Sequence, residues 1–140
     1  MSKEQNIAAE LRYAEAAMGD FRAFYDVVAP DSVDHDPAPG QGPGPEGFEH
    51  LFKELYTAFP DLQFIREQVV ADEDSVALAY TVTGTQNGVF LGFPPTGKRM
   101  KVRGVQISKF ANGKLVERWG SSDQLGMLQQ LGLVRLPKSS

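Results

Sequence analysis

The chain has no cysteine and only two histidines among its 140 residues. Without cysteine, disulfides, thiolate nucleophiles and zinc–thiolate sites are excluded. Two histidines, His35 and His50, are too few for a histidine-rich metal site. The carboxylates also show no spacing typical of a metal site, so we expect no metal.

A basic surface and a long apolar run are missing as well. Lysine and arginine number 14 against 18 aspartates and glutamates, for a formal net charge of −4. This balance argues against nucleic acid and anionic membrane as partners, because both need a basic patch. No stretch approaches the roughly 20 apolar residues of a membrane span, and the N-terminal segment is charged. We therefore expect a soluble, cytoplasmic protein.

The chain does contain a run of helical patterns followed by a run of strand patterns. Apolar residues at helical spacing and later alternation at a period of two mark these elements. The predicted helices are 3–18, 20–28, 46–59 and 125–131, and the predicted strands are 32–36, 62–71, 75–84, 98–110 and 114–122.

This order predicts an α+β fold with the helices on one face of a mainly antiparallel sheet. The length suits one domain over residues 1–140, with a folded core of about 4–133 and a short polar tail. A curved sheet half-closed over helices leaves an apolar cone, which favours a small-molecule pocket.

The first candidate site lies in the segment from Ser32 to Phe48, which holds four prolines and four glycines. In an extended strand Val33 and His35 share one face. If Val33 faces the core, His35 points into the pocket from a stiff loop rim. Asp34 and Asp36 then face solvent or cap the loop. The alternative is a half-buried histidine bonded to a backbone carbonyl.

The second candidate site ends the last predicted strand. Trp119, Ser121 and Asp123 alternate, so if Trp119 faces the cone the other two do as well. A buried carboxyl with a raised pKa can take a proton from a carbon acid and return it later. Asp123 is equally suited to be the N-cap of the final helix, and both interpretations remain open.

Several segments together identify a family resemblance. They are VDHDP at 33–37, AFPDL at 58–62, TGTQNGVFLGFPPTGK at 83–98, ISKFANGKLVERW at 107–119 and DQLGMLQQLG at 123–132. With them the chain resembles the SnoaL-like polyketide cyclases of the NTF2-like superfamily. The resemblance implies an NTF2-like cone, in which a curved sheet wraps around three N-terminal helices and one central pocket.

The resemblance also implies an activity. Cyclases of this family close a ring of a polyketide ester by an intramolecular aldol step, without metal or organic cofactor. Their acid/base carboxylate follows the tryptophan strand, where this chain has Asp123. Gln106 and Ser121 occupy positions comparable to pocket histidines, and with Trp119 they are expected to bind an apolar, carbonyl-bearing substrate.

Other functions stay open beside the cyclase hypothesis. Asp36 and the following proline are similar to the base-bearing segment of ketosteroid isomerases in the same superfamily. A β-bulge would be enough to turn Asp36 into the pocket. A binding protein without turnover, or a structural oligomer with a filled cone, is also compatible with the sequence.

Further aromatic and apolar residues are assigned to the pocket or to a subunit contact. Phe90 and Phe93 lie in a predicted loop, where apolar residues typically cover a pocket or an interface. Tyr25 is a candidate for the cavity lining. The resemblance implies a homodimer or homotetramer, and the outer face of the sheet, with Val102, Ile107 and Leu115, is the predicted contact surface.

Overall fold

The computed structural model of the chain describes residues 2–137. Its helices are α1 (Lys3–Ala17), α2 (Phe24–Val27, after a 3₁₀ turn at Phe21–Ala23), α3 (Gly44–Ala58) and α4 (Gln124–Gln130). Its strands are β1 (Val28–Asp34), β2 (Gln63–Ala71), β3 (Ser75–Thr85), β4 (Arg99–Ala111) and β5 (Lys114–Ser122). The predicted elements are confirmed within a few residues, except that β1 begins four residues earlier than expected.

The five strands form one curved, unclosed sheet in the order β1-β5-β4-β3-β2. Strands β2 to β5 pair antiparallel with their sequence neighbours, while β1 runs parallel to β5 at the sheet edge. The predicted α+β fold with a mainly antiparallel sheet is therefore confirmed. Within residues 2–137 no helix is long and apolar enough to cross a membrane.

The alternation along β4 defines the two faces of the sheet. Every second residue from Met100 to Phe110 is buried, and the residues between them are exposed. We call the buried side, which packs on the helices, the concave face and the other side the convex face. The side-chain period of two in a strand produces this division.

The concave face carries two separate apolar clusters. The first joins Phe24 and Phe48 of the helices to Val76 of β3, and the second joins Phe59 to Met100 and Val102. The middle of β4, with Gly104, Gln106 and Ser108, belongs to neither cluster. A polar band thus crosses the concave face between two apolar regions.

The side of helix α1 that faces this polar band carries polar side chains. A capping box fixes its start, because the Ser2 hydroxyl accepts from the Gln5 amide while the Gln5 side chain accepts from the Ser2 amide. Asn6, Glu10 and Tyr13 are then all buried along one side of the helix. Spacings of four and three residues place them on the same face.

Candidate active site

Strand β1 presents Asp34, not His35, to the concave face. The pairing register of β1 with β5 shifts between Val28 and Val33, around Pro30, which cannot donate a ladder hydrogen bond. The shift inverts the alternation, so Val33 is 49% exposed while the Asp34 side chain is only 11% exposed. The prediction that His35 points into the pocket, which required Val33 to face the core, was wrong. Asp34 does not face solvent, but the alternative that it caps the loop is confirmed, since its Oδ1 accepts from the backbone amide of Asp36 at 3.0 Å.

Asp34 forms a largely buried ion pair with Arg118 of β5. Nη1 of Arg118 donates to the two carboxylate oxygens at 3.0 and 3.3 Å, and its side chain is 16% exposed. The amide of Gln41 also donates to Asp34 at 3.0 Å, from within the proline- and glycine-rich loop. The loop therefore closes over an aspartate, not over the histidine that the sequence suggested.

Gln106 extends this ion pair into the interior. Its Oε1 accepts from Nε of Arg118 at 2.7 Å, and its Nε2 donates to Glu10 at 3.2 Å and to Ser108 at 3.0 Å. Four elements thus meet in one hydrogen-bonded network. We call its five members, Asp34, Arg118, Gln106, Glu10 and Ser108, the concave polar cluster.

Glu10 is the buried carboxyl of this cluster, and its pKa is raised. Burial raises its pKa to about 7, against the opposing effects of Ser108, Arg118 and Gln106. Its Oε2 is buried and has no hydrogen-bond partner among residues 2–137, and the same holds for Oδ1 of Asn6 one helical turn away. A carboxyl with a pKa near neutrality can both accept and donate a proton.

Two tyrosines adjoin the cluster. Burial raises the pKa of Tyr13 and of Tyr80, and the positive charge of Arg118 partly lowers both, so the hydroxyls lie within electrostatic reach of the guanidinium. The Tyr80 hydroxyl lies so close to Gly104 that a Cβ there would collide with it. A Cβ at Gly120 would lie 2.6 Å from Nη2 of Arg118. Both glycines leave the space that these side chains occupy.

A cavity of about 380 Å³ opens at the β2 edge of the sheet, between the end of α1, α3 and β2, and no member of the concave polar cluster lines it. Its lining is mainly apolar and includes Met18, Tyr56, Leu62, Phe64 and Ile65. Phe64 contacts the ring of Tyr80 edge-on at 6.0 Å, so the cavity wall adjoins the tyrosine at the cluster. This is a suitable place for the apolar body of a ligand.

Trp119 and His35 lie together on the convex face. Trp119 pairs with the exposed Ile107, and its ring stacks on His35 with a centroid distance of 4.7 Å. Nε2 of His35 contacts Glu117 at 2.9 Å. The predictions that Trp119, Ser121 and His35 face the cone were wrong in orientation, because Arg118, not Trp119, has the inward parity of β5.

The two candidate aspartates, Asp123 and Asp36, each accept a hydrogen bond from a backbone amide. Asp123 is exposed and is the N-cap of α4, since its Oδ1 accepts from the Gly126 amide at 2.8 Å. Oδ2 of the exposed Asp36 accepts from the Gly120 amide at 2.8 Å. The capping interpretation of Asp123 is confirmed, while an acid/base role for either residue stays a prediction.

The predicted aromatic lining residues lie away from the cluster. Phe90 packs edge-on against Phe59 at 5.2 Å within the second apolar cluster, and Phe93 is exposed. Tyr25 is exposed and donates to Glu49 at 3.2 Å. Gln106 is the one predicted binding residue that the fold places in the concave polar cluster.

Sequence reasoning missed Glu10, Arg118 and Tyr80. The available signal was the polar stripe of α1, where Asn6 and Glu10 stand at helical spacing with the buried Tyr13. Such a stripe looks like a solvated helix face when the helix is taken alone. Only the contact between α1 and β4 shows that it faces the interior.

Comparison with known proteins agrees with this architecture. The family profile for SnoaL-like polyketide cyclase matches residues 7–131. No curated protein gives a significant sequence match to the chain.

Several solved structures share the fold. TsrD from Streptomyces laurentii has a TM-score of 0.85 at 24% identity, with 96% of this chain and 99% of that chain covered. IdmH from Streptomyces antibioticus, described as a candidate polyketide cyclase, is 31% identical with a TM-score of 0.78, covering 91% and 99%. AclR from Streptomyces galilaeus, described as a candidate hydroxylase, is 31% identical with a TM-score of 0.81, covering 96% and 100%.

These neighbours carry different activity names on one fold, so the reaction must be argued from the site itself. The family assignment does not depend on that reaction. Because the profile covers most of the chain and the cone is shared with these structures, this protein belongs to the SnoaL-like polyketide cyclase family.

Proposed function

We propose that the protein is a cofactor-free acid/base enzyme that acts on an apolar, carbonyl-bearing small molecule within the cone. Glu10 is the acid/base in this proposal. The observation that carries it is a buried carboxyl with a pKa of about 7 and one unpartnered oxygen, hydrogen-bonded to Gln106 on the concave face.

The reaction that fits these groups is an aldol-type ring closure. Glu10 takes a proton from a carbon next to a carbonyl group, and the resulting enolate carbon attacks a second carbonyl of the same molecule. A carbon–carbon bond forms, and the second carbonyl oxygen becomes an alkoxide. Glu10 then returns the proton to that oxygen, so no net proton, electron or leaving group is consumed.

The surroundings bear on both the access and the charge balance of this step. Leu78, Tyr80 and Gly120, on strands beside Gln106, are only half-buried, whereas Glu10 is 3% exposed, so the proposal requires these neighbours to admit the substrate. Arg118 and the tyrosine hydroxyls provide donors for oxygen atoms that gain negative charge during the reaction.

The first step is testable without knowing the natural substrate. We expect the protein to catalyse exchange of the acidic C–H of an aromatic β-keto ester with D2O, measured by proton NMR. Glu10→Gln should reduce this rate by roughly 10²-fold or more, because the proton acceptor is lost. Asp123→Asn keeps a cap acceptor and should leave the rate within a few-fold.

The two other carboxylates define the alternatives. A large loss in Asp123→Asn with full activity in Glu10→Gln would assign the acid/base role to Asp123, as the family resemblance implied. The same pattern in Asp36→Asn would support the isomerase-like proton shuttle. Full activity in all three variants, or no exchange above background, would contradict acid/base catalysis and favour a binding function.

We also propose that the convex face joins two copies of the chain. One row of paired residues crosses four strands of this face, and it consists of Val70, Ala77, Ile107 and Trp119. Val70 is 57% exposed, Ile107 is 41% exposed and Trp119 is 38% exposed. Val102 and Leu115, which were predicted for this surface, are buried on the concave side instead.

The size of the face suits a dimer. Five strands about 4.8 Å apart and roughly 30 Å long cover about 700 Å², close to the roughly 800 Å² per partner of a standard interface. We expect a dimer by light scattering at micromolar concentration and a monomer for Ile107→Glu. Val89→Glu, in an exposed loop, is the control and should stay dimeric. A monomeric wild type would contradict the proposal.

A further inference from the structure

Two buried oxygen atoms of helix α1 have no hydrogen-bond donor within the described residues 2–137. They are Oδ1 of Asn6 and Oε2 of Glu10, and the two residues are 0% and 3% exposed. A buried acceptor without a donor costs free energy, and most buried polar atoms in folded proteins have a partner. A donor is therefore expected for both oxygens.

The hydrogen bonds of Glu10 identify the oxygen that can carry a proton. Nε2 of Gln106 has two hydrogens, and it donates to Oε1 of Glu10 at 3.2 Å and to Oγ of Ser108 at 3.0 Å. A neutral carboxyl has one O–H donor and one carbonyl-type acceptor. Because Oε1 already accepts from Gln106, Oε2 is the oxygen left for the proton.

The side-chain amide of Asn6 is oriented from the other side. Its Nδ2 donates to the backbone carbonyl of Asp72 at 3.0 Å, in the turn between β2 and β3. That turn is itself held, because Oδ1 of Asp72 accepts from the amides of Asp74 and Ser75 at 2.9 and 2.8 Å. Exchanging the amide oxygen and nitrogen of Asn6 would set two acceptors against each other, so Oδ1 remains the atom that needs a donor.

The helix brings the two side chains together. Positions 6 and 10 are four residues apart on the buried side of α1, which places their Cβ atoms about 5–6 Å from each other. The unpartnered oxygens become complementary once Glu10 carries a proton, since an O–H group then faces an amide oxygen. Burial favours this neutral form by raising the pKa of Glu10 to about 7.

We propose that Oε2 of Glu10 donates a hydrogen bond to Oδ1 of Asn6, which makes Asn6 the positioning residue for the proton of the buried carboxyl. The bond exists only while Glu10 is neutral, because the ionised group would set two acceptors against each other. Asn6 acts through Glu10 and needs no contact with a substrate. Its part in a reaction rests on the proposed function, whereas the bond itself is tested without turnover.

The other titratable groups around Glu10 come from α1 and three strands. Arg118 of β5 lowers the pKa of Glu10, and its own charge is offset by Asp34 of β1. Burial raises the pKa of Tyr13 on α1 and of Tyr80 on β3, so both stay neutral near pH 7. These groups are the same in an Asn6 variant, so a changed pKa of Glu10 in that variant reports on Asn6.

The test is a pH titration of the Glu10 carboxyl by carbon-13 NMR in the full chain, with its signal identified by its absence in Glu10→Gln. Asn6→Leu removes the acceptor at similar size and should lower the pKa of Glu10 by about 1, because a bond to the neutral form is lost. Asn6→Asp loses the donor to Asp72 but keeps an acceptor oxygen, so the pKa should not fall. Asn87→Leu, at an exposed position, is the matched control and should change nothing.

Two results would overturn the bond. An unchanged or raised pKa in Asn6→Leu is the first, and it is what a water molecule between the two oxygens would give, because that water stabilises the charged form. A fall in Asn6→Asp is the second, since the lost contact with Asp72 would then be the cause.

The exchange assay separates this proposal from the proposed function. If Glu10 is the base, the pH at which exchange sets in should move down in Asn6→Leu together with the pKa. A lowered pKa without catalysed exchange keeps the bond and removes the enzyme. Exchange that depends on Glu10, with an unchanged pKa in Asn6→Leu, keeps the enzyme and removes the bond.

Discussion

Replacing Arg118 with methionine is expected to lower the free energy of unfolding by about 3–5 kcal/mol. The substitution leaves Asp34 as an unpaired charge whose side chain is only 11% exposed. It also removes the donor to Gln106 in the interior. Because domains are typically stable by about 5–15 kcal/mol, this loss is large enough to be read directly from urea unfolding.

The matched control for this prediction is Arg12→Met. Arg12 forms an ion pair with Asp26 at 3.3 Å, but the two side chains are 55% and 70% exposed. Surface pairs of this kind contribute about 0–1 kcal/mol. Equal effects of the two substitutions would contradict a buried pair at Arg118. Adding Asp34→Leu to Arg118→Met should recover part of the loss, because the unpaired charge is then gone.

The second large effect is a pH dependence of stability that Glu10 causes. Its pKa is about 7 in the folded protein against 4.5 for the free side chain, so between these values the folded state binds more protons than the unfolded state. Stability contributed by this group is complete below about pH 4.5 and is lost as pH rises through 7. The shift corresponds to about 3 kcal/mol at most.

Comparison with Glu10→Gln isolates this contribution from those of other carboxylates. The glutamine amide stays uncharged and offers a donor to the unpartnered Oδ1 of Asn6. From pH 4.5 to pH 8, we expect urea unfolding to show the wild type losing about 3 kcal/mol relative to this variant. Glu15→Gln, at an exposed position of α1, should follow the wild-type curve. Parallel curves for wild type and Glu10→Gln would show that Glu10 is not held protonated.

Local patterns in the sequence were sufficient for the elements of the fold. Helical spacing gave α1 and α3, and strict alternation gave β3, β4 and β5 with small errors at their ends. The N-cap at Asp123 was also readable, because a cap depends on residues only three positions away. The segments shared with SnoaL-like cyclases added the family, which the profile match confirms.

The same patterns did not show on which face of the sheet each side chain lies. A one-residue change in strand register moves every side chain to the opposite face. The shift before Val33 turned Asp34 inward and His35 outward, and the pairing of Ile107 with Trp119 put the tryptophan outside. Alternation alone fixes which residues share a face, but it does not say which face is buried.

What the sequence by itself determined is therefore the order of elements, the absence of thiol chemistry and the family. The tertiary structure decided the candidate site. The hydrogen bond between Gln106 and Glu10 joins residues 96 positions apart, and that between Arg118 and Asp34 joins residues 84 apart. The raised pKa of Glu10 comes mainly from burial under other elements, which no local pattern contains.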